Sequence, residues 1–124
     1  MGAATVLHDV FRSTKIVVPD PGNGGTINVD RDRQNCELTS LAASGATETR
    51  TLNAPGKSGI LTMLNFITKN TYGITVTVND SAGGTTTVTF TTQGTMVIFM
   101  SCCTSQSATT GVKTFAWKAI FSNA

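Results

Sequence analysis

The sequence contains little charge. Asp, Glu, Lys and Arg together make up 13% of its 124 residues, about half the usual share of a globular protein. Between Thr71 and Val112 the only charged residue is Asp80, and threonine fills the polar positions. The branched threonine side chain favours extended backbone. Because a soluble surface normally needs charge, this shortage predicts that other subunits cover part of the surface.

Residues that carry out catalysis are also scarce. His8 is the only histidine, so a histidine-based triad or zinc site would have to use it. The glycine-rich stretch Gly22–Gly25 lacks the lysine of a phosphate-binding loop and is better interpreted as a turn. No pair of carboxylates lies in a recognisable motif. The sequence therefore predicts no enzyme, no cofactor and no bound metal.

The cysteines do not form a disulfide framework. There are three of them, Cys36, Cys102 and Cys103, and an odd number leaves at least one thiol unpaired. Neighbouring residues of a strand point to opposite faces, so Cys102 and Cys103 are not expected to bond to each other. We expect free thiols and synthesis in a reducing cytosol.

Long apolar segments and clusters of basic charge are absent from the sequence. The first residues lack the pattern of a signal peptide, and no apolar run approaches the length of a membrane span. Nine basic and seven acidic residues give a net charge of +2. Nucleic-acid binding usually needs a concentrated basic patch. We therefore expect neither a membrane nor a nucleic acid as a partner.

The sequence is rich in strand patterns. Apolar and polar residues alternate over Ile74–Asn79 and again over Thr87–Thr91, on either side of a glycine-containing loop, which predicts a β-hairpin. Residues 59–68 and 95–101 are apolar on both faces, as in strands buried on both sides. In the last strand, Phe115, Trp117 and Phe121 form an aromatic stripe that is expected to face the core.

These patterns predict an all-β fold: a small antiparallel β-sandwich or jelly-roll, or a barrel-like domain, with an extended amino-terminal arm. Short strands at fairly even spacing are typical of these architectures. Residues 1–34 hold two of the three prolines and only short apolar pieces, so they are assigned to the arm or to one peripheral strand. Residues 35–124 are assigned to the β-domain.

One stretch resembles a known group of proteins. Arg50–Gly59 precedes a threonine-rich hairpin ending at Phe90–Thr92, and a closing strand carries Trp117 and Lys118. This order, over residues 48–120, resembles small virion proteins of tailed bacteriophages, particularly capsid decoration (cement) proteins of cyanophage-like viruses. The resemblance implies a protein made in the host cytoplasm that binds the capsid exterior, often as a trimer. It also implies bridging of neighbouring copies of the major capsid protein, without an active site.

Two sets of contacts follow from this hypothesis. The first comprises apolar residues that would contact the capsid: Val6, Leu7, Val10, Phe11, Ile16, Val17 and Val18. The second comprises threonines that would form the seam of a homotrimer: Thr75, Thr77, Thr87, Thr89 and Thr91.

Two alternatives remain open. One is another virion role, in a tail, baseplate or head fibre. The other is a jelly-roll carbohydrate-binding module, which would need exposed aromatic rings. Trp117 is expected in the core, and Tyr72, in a turn, is the candidate for such a ring.

Overall fold

The computed structural model describes residues 17–29, 33–41 and 45–124, and the regular secondary structure within these ranges is β-strand. The strands are β1 (Val17–Val18), β2 (Gly25–Ile27), β3 (Arg33–Thr39), β4 (Glu48–Leu52), β5 (Leu61–Thr68), β6 (Ile74–Asn79), β7 (Thr85–Phe90), β8 (Met96–Gln106) and β9 (Lys113–Ser122). The prediction of an all-β fold is confirmed. None of the described residues forms a helix long and apolar enough to cross a membrane.

The strands form two mixed sheets. One has five strands in the order β1-β3-β5-β8-β9, and the other has four in the order β2-β4-β6-β7. From β1 to β6 the chain alternates between the sheets, so each return to a sheet follows a passage through the other one. Successive strands of a sheet therefore run in the same direction, and β1, β3 and β5 pair in parallel, as do β2, β4 and β6.

Antiparallel pairing is confined to the later strands, where β7, β8 and β9 pair with β6, β5 and β8 respectively. Both sheets are therefore mixed, and the purely antiparallel architecture expected from the sequence is wrong for the pairings among the first six strands. Local alternation reports which face of a strand is buried, but the direction of its neighbour depends on the path of the chain. Neither sheet closes on itself, so the barrel-like alternative is also wrong.

The inward faces of both sheets contribute to one buried cluster. In the four-stranded sheet Ile27, Leu52 and Val78 lie in register on adjacent strands, and all three are buried. Across the core, the Phe66 and Phe90 rings from different sheets approach to 6.0 Å between centroids. This shared core is the main driving force for packing the sheets together, because burial of apolar surface dominates folding.

The predicted hairpin is confirmed as β6 and β7, joined by a tight turn. The Asp80 carboxylate accepts hydrogen bonds from the backbone N–H groups of Ala82 and Gly84 at 2.9 and 2.7 Å. Gly83 has a φ of 90°, a conformation that glycine adopts without a steric cost. The side chain of Asp80 therefore sets the turn, as aspartate commonly does.

Two strands expected to be buried on both faces are only partly covered on their outer face. On β5 and β8 the inward residues are buried, whereas Ile67 is 43% exposed and Met100 is 40% exposed on the other side. Phe121 was expected in the core with Trp117, yet it is 45% exposed. Phe99 pairs with Ala119 and Ile98 with Phe121, which leaves Ile120 as an extra residue. This β-bulge shifts Phe121 to the outer face.

The described part of the amino-terminal third belongs to the two sheets. β1 and β2 are their first edge strands, Ile27 is fully buried, and Val18 packs against the core. Of the two expectations for residues 1–34, the peripheral strand fits residues 17–29, which contain β1 and β2. Residues 1–16 and 30–32 of the predicted arm lie outside the described residues, so their assignment to an arm stays a prediction, and residues 33 and 34 belong to β3.

Candidate interaction surfaces

The part of the chain that the structure describes contains no cluster of three or more histidine, cysteine or acidic residues able to hold a metal ion. His8 lies outside that part. A cleft of about 120 Å³ opens beside the β6–β7 hairpin, between Asp80, Thr86, Trp117 and Lys118. Ligand pockets usually enclose about 300–1,000 Å³, so this cleft is small for a substrate. The outer faces of the two sheets are therefore the more promising sites.

The outer face of the four-stranded sheet consists mainly of threonine. One row of paired positions crosses all four strands as Thr26, Thr51, Thr77 and Thr87. A second row crosses β4, β6 and β7 as Thr49, Thr75 and Thr89. Neighbouring strands lie about 4.8 Å apart. We call these seven residues the threonine face.

The threonine face carries no charge, because the charged residues of β2, β4, β6 and β7 point the other way. Only Glu48 and Arg50 on these strands are charged, and both are 1% exposed. The structure thus brings together four of the predicted seam residues, pairing Thr75 with Thr89 and Thr77 with Thr87. The fifth, Thr91, is exposed just after the end of β7.

The predicted capsid contacts are only partly described. Val17 is 56% exposed on β1, whereas Val18 is half-buried and packs against the core. Val18 therefore contributes to the core, and a contact with the capsid stays a prediction for both valines. The other candidates, Val6, Leu7, Val10, Phe11 and Ile16, lie outside the described residues, and their contact role stays a prediction.

The outer face of the five-stranded sheet carries an apolar strip that the sequence analysis assigned to a core. Met63, Ile98 and Phe121 are in register across β5, β8 and β9, and Leu61 and Met100 form the adjacent row on β5 and β8. We call these five residues the apolar strip. Met100 and Phe121 are exposed, Leu61 and Met63 are half-buried, and Ile98 is buried. The pattern of apolar residues was visible in the sequence, but the shift of Phe121 by a bulge was not.

A buried charge network joins the loop after β1 to strand β4. The Arg50 guanidinium donates to the Asp20 carboxylate at 2.6 and 3.2 Å and to Glu48 at 3.0 Å. It also donates to the backbone carbonyls of Thr39 and Thr49. Its three nitrogens all have acceptors, so this buried cation is fully paired, as burial of a charge requires.

The hydrogen bonds of this network also shift ionisation. Burial raises the pKa of the Asp20 carboxyl, but the hydrogen bond from Arg50 and those from the Thr39 and Gly22 backbone outweigh it, so the pKa is lowered. Burial lowers the pKa of Arg50, and its bonds to Asp20 and Glu48 reverse this, so the pKa is raised. Both residues therefore stay charged at neutral pH and cannot exchange protons there. The network is suited to holding the fold, not to acid–base chemistry.

The three cysteines are free thiols in different surroundings, as the sequence analysis expected. Cys36 is buried in the core, Cys102 is half-buried and Cys103 is exposed. Burial, reinforced by the negative charge of Asp20, raises the pKa of the Cys36 thiol to about 12 from 9.0. Since the thiolate is the reactive form, Cys36 is expected to be inert.

This shift predicts a loss of stability in alkaline solution. The unfolded chain releases the Cys36 proton above about pH 9, whereas the folded chain holds it until about pH 12. The stabilisation by the neutral thiol is thus complete below pH 9 and is lost as the pH rises through that interval. We expect Cys36→Ala to show a shallower decline in unfolding free energy between pH 8 and 11 than the wild type. Cys103→Ala, at an exposed thiol, is the control, and equal slopes for both variants would contradict the prediction.

No protein-family model, curated protein or solved structure matches the chain. The function is therefore inferred from the two outer faces of the molecule.

Proposed function

We propose that the protein is a structural component of a bacteriophage virion, a decoration protein that binds the outer surface of the capsid. In this role it bridges neighbouring copies of the major capsid protein and acts as a homotrimer. The observation that carries the proposal is the threonine face: a continuous sheet surface without a charged side chain, in a chain that is poor in charge throughout.

The threonine face is suited to contact with another protein. Its hydroxyl groups form hydrogen bonds across an interface, and its methyl groups pack. Burying this face removes no ionised group from water, whereas burying an ion costs several kcal/mol. β-Branched side chains also have few rotamers to lose. A flat, polar but uncharged surface therefore docks at low cost and still tolerates water before assembly.

The two-sheet architecture supports the same role. Its inward faces share one core, a sandwich-like arrangement, and both broad outer faces are left available for contacts within the particle. A symmetric assembly repeats the same contact around its axis. The amino-terminal residues Val6, Leu7, Val10 and Phe11 are apolar enough to add a further contact with the capsid.

The carbohydrate-binding alternative finds less support. Trp117 is 7% exposed, and its indole N–H donates to the backbone carbonyl of Asn53 at 2.8 Å. Its ring stands edge-on to Phe99 within the core, so it cannot stack on a sugar. Tyr72 is 39% exposed, but it is a single ring in a turn.

A tail, baseplate or fibre subunit would use the same sheet faces, and only location in the particle separates these roles.

The proposal predicts that particles lacking this chain lose infectivity faster on heating or in low salt than complete particles. Adding the purified wild-type protein to such particles should restore their resistance, because the bridges between capsid subunits are re-formed. Thr77→Lys, which places a charge in the middle of the threonine face, should restore less. Thr110→Lys, in the exposed loop between β8 and β9, is the matched control and should act like the wild type.

Cryo-electron microscopy of the complete particles then gives the location. Density for the chain on the capsid exterior would support the decoration role. Unchanged heat resistance in particles that lack the chain, or density in the tail, would refute it.

A further inference from the structure

The apolar strip leaves two strands of the five-stranded sheet apolar on both faces. β5 and β8 contain no charged residue, and their inward apolar residues are buried in the core. Outward, they present Leu61, Met63, Ile98 and Met100. Strands with apolar residues on both faces are typical of sheets covered by a layer on each side. Within the described residues, the other sheet supplies only one of these layers.

The strip has the anatomy of a protein interface. Its centre is apolar, with two methionines that adapt to irregular surfaces and the exposed ring of Phe121. Charged residues lie only at its borders, with Arg33 and Glu37 on β3 and Lys118 on β9. An apolar centre with a polar rim is the usual arrangement at interfaces between subunits. Met100 and Phe121 are exposed and Leu61 and Met63 are half-buried, and grouped apolar exposure marks an interaction site.

The size of the face argues for a second folded copy as the occupant. Five strands about 4.8 Å apart and about six residues long give a face of roughly 24 Å by 20 Å, or about 500 Å² before the relief of the side chains is counted. A stable interface buries about 800 Å² on each partner, which is of the same order. A single extended segment, about 5 Å wide, would cover only one strand's width of it.

Charge at the borders points to the same occupant. The rim carries both signs: Arg33 and Glu37 lie on the β3 border and Lys118 lies on the β9 border. In a ring of three copies the β3 border of one copy meets the β9 border of the next, so Glu37 can lie against Lys118. A partner with a strongly acidic or basic surface would meet like charges on one border or the other.

We propose that copies of this chain associate through the apolar strip on the outer face of the five-stranded sheet. The strip then replaces the threonine face as the seam between copies, and the threonine face is left for the capsid. The number of three copies rests on the proposed function, whereas the position of the seam does not depend on it.

The test is the solution mass of the purified chain by light scattering on a sizing column, for the wild type and two variants. We expect three times the 12.9 kDa of the monomer for the wild type. Met100→Lys, which puts a charge in the strip beside Lys118, should give a monomer. Thr87→Lys, at an exposed position on the threonine face, should keep the wild-type mass. Circular dichroism on all three shows that each variant is folded.

A second readout uses the chain's own thiols. Cys102 follows Met100 by two residues on the same outer face, whereas Cys103 points away from it and is exposed. In the wild type, iodoacetamide should modify Cys103 at least tenfold faster than Cys102. In Met100→Lys the rate at Cys102 should rise while that at Cys103 stays constant, because only the seam has opened.

Three outcomes would overturn the proposal. A monomeric wild type with a heat-sensitive Met100→Lys variant would show that residues of the same chain cover the strip. A wild-type oligomer that dissociates with Thr87→Lys but not with Met100→Lys would place the seam on the threonine face. A folded Met100→Lys variant with the wild-type mass and thiol rates would exclude the strip. None of these results bears on whether the protein resides on a capsid, which the particle experiments test separately.

Discussion

Replacing Arg50 by methionine is expected to lower the free energy of unfolding by about 3–5 kcal/mol, the usual cost of removing one partner from a buried ion pair. The change leaves Glu48 as a carboxylate with 2% side-chain exposure and no cation beside it. It also frees Asp20, which lies in the loop between β1 and β2 and is bound to β4 by Arg50. Urea unfolding followed by circular dichroism measures the effect.

Two further variants make the result specific. Lys69→Ala, at an exposed lysine beyond the end of β5, should change stability by less than about 0.5 kcal/mol, as surface substitutions do. The double variant Glu48→Gln with Arg50→Met should recover part of the loss, because it also removes the stranded charge. An Arg50→Met protein within about 1 kcal/mol of the wild type would show that the network contributes little.

The second large effect is expected at Trp117. Truncation to alanine should cost about 3–5 kcal/mol, the range for a large aromatic side chain in a core. Trp117 packs against Phe99 at 6.4 Å between ring centroids, and its indole N–H satisfies the Asn53 carbonyl. Its loss would therefore leave a cavity and an unpaired acceptor beneath β9. Thermal unfolding of the purified variant measures the loss.

Phe121→Ala is the matched control on the same strand. Because 45% of the Phe121 surface is exposed, its truncation to alanine should lower the free energy of unfolding of a monomeric subunit much less than truncation of Trp117 does. The comparison is made in the Met100→Lys background, which removes any contribution from contacts between copies. Equal losses at both positions would contradict the prediction, because they would mean that Phe121 is buried in the core of the monomer.

The parts of the fold that depend on local pattern were predictable from the sequence. The β6–β7 hairpin follows from alternation on both sides of a loop with Asp80 and Gly83, and the structure confirms it. β6 spans Ile74–Asn79, the same residues as the predicted alternation. These features depend on side-chain periodicity and turn chemistry, which neighbouring residues encode.

The parts that depend on distant contacts were not predictable. Parallel pairing of β3 with β5 joins residues 28 apart in the chain, as Asn35 and Met63 show, and no local signal encodes it. Arg50 alternates with threonine on β4, so the pattern alone does not reveal that the arginine points inward. Its partner Asp20 lies 30 residues earlier, in a loop that the sequence analysis treated only as a turn.

The candidate surfaces were predictable in part. The threonines of β6 and β7 were identified from the hairpin, but their continuation into Thr26, Thr49 and Thr51 required the parallel register. The apolar strip was recognised as apolar and assigned to the interior. A sequence gives the hydrophobicity of both faces of a strand. Only the packing of the two sheets shows which of these faces is left without another layer against it.

The alternation of β1 to β6 between the two sheets has a consequence for folding during synthesis. The first strands pair with strands about 25 residues further along the chain, as Arg50 on β4 pairs with Val76 on β6. During synthesis each of them stays unpaired until its partner has left the ribosome. β5 gains its antiparallel neighbour β8 only when residues 96–100 have been made. Non-local pairing of this kind slows folding. The two late hairpins, β6–β7 and β8–β9, contain the shortest-range contacts. We therefore expect them to form first, so that the native sheets grow backwards, from the carboxyl end of the chain towards its start.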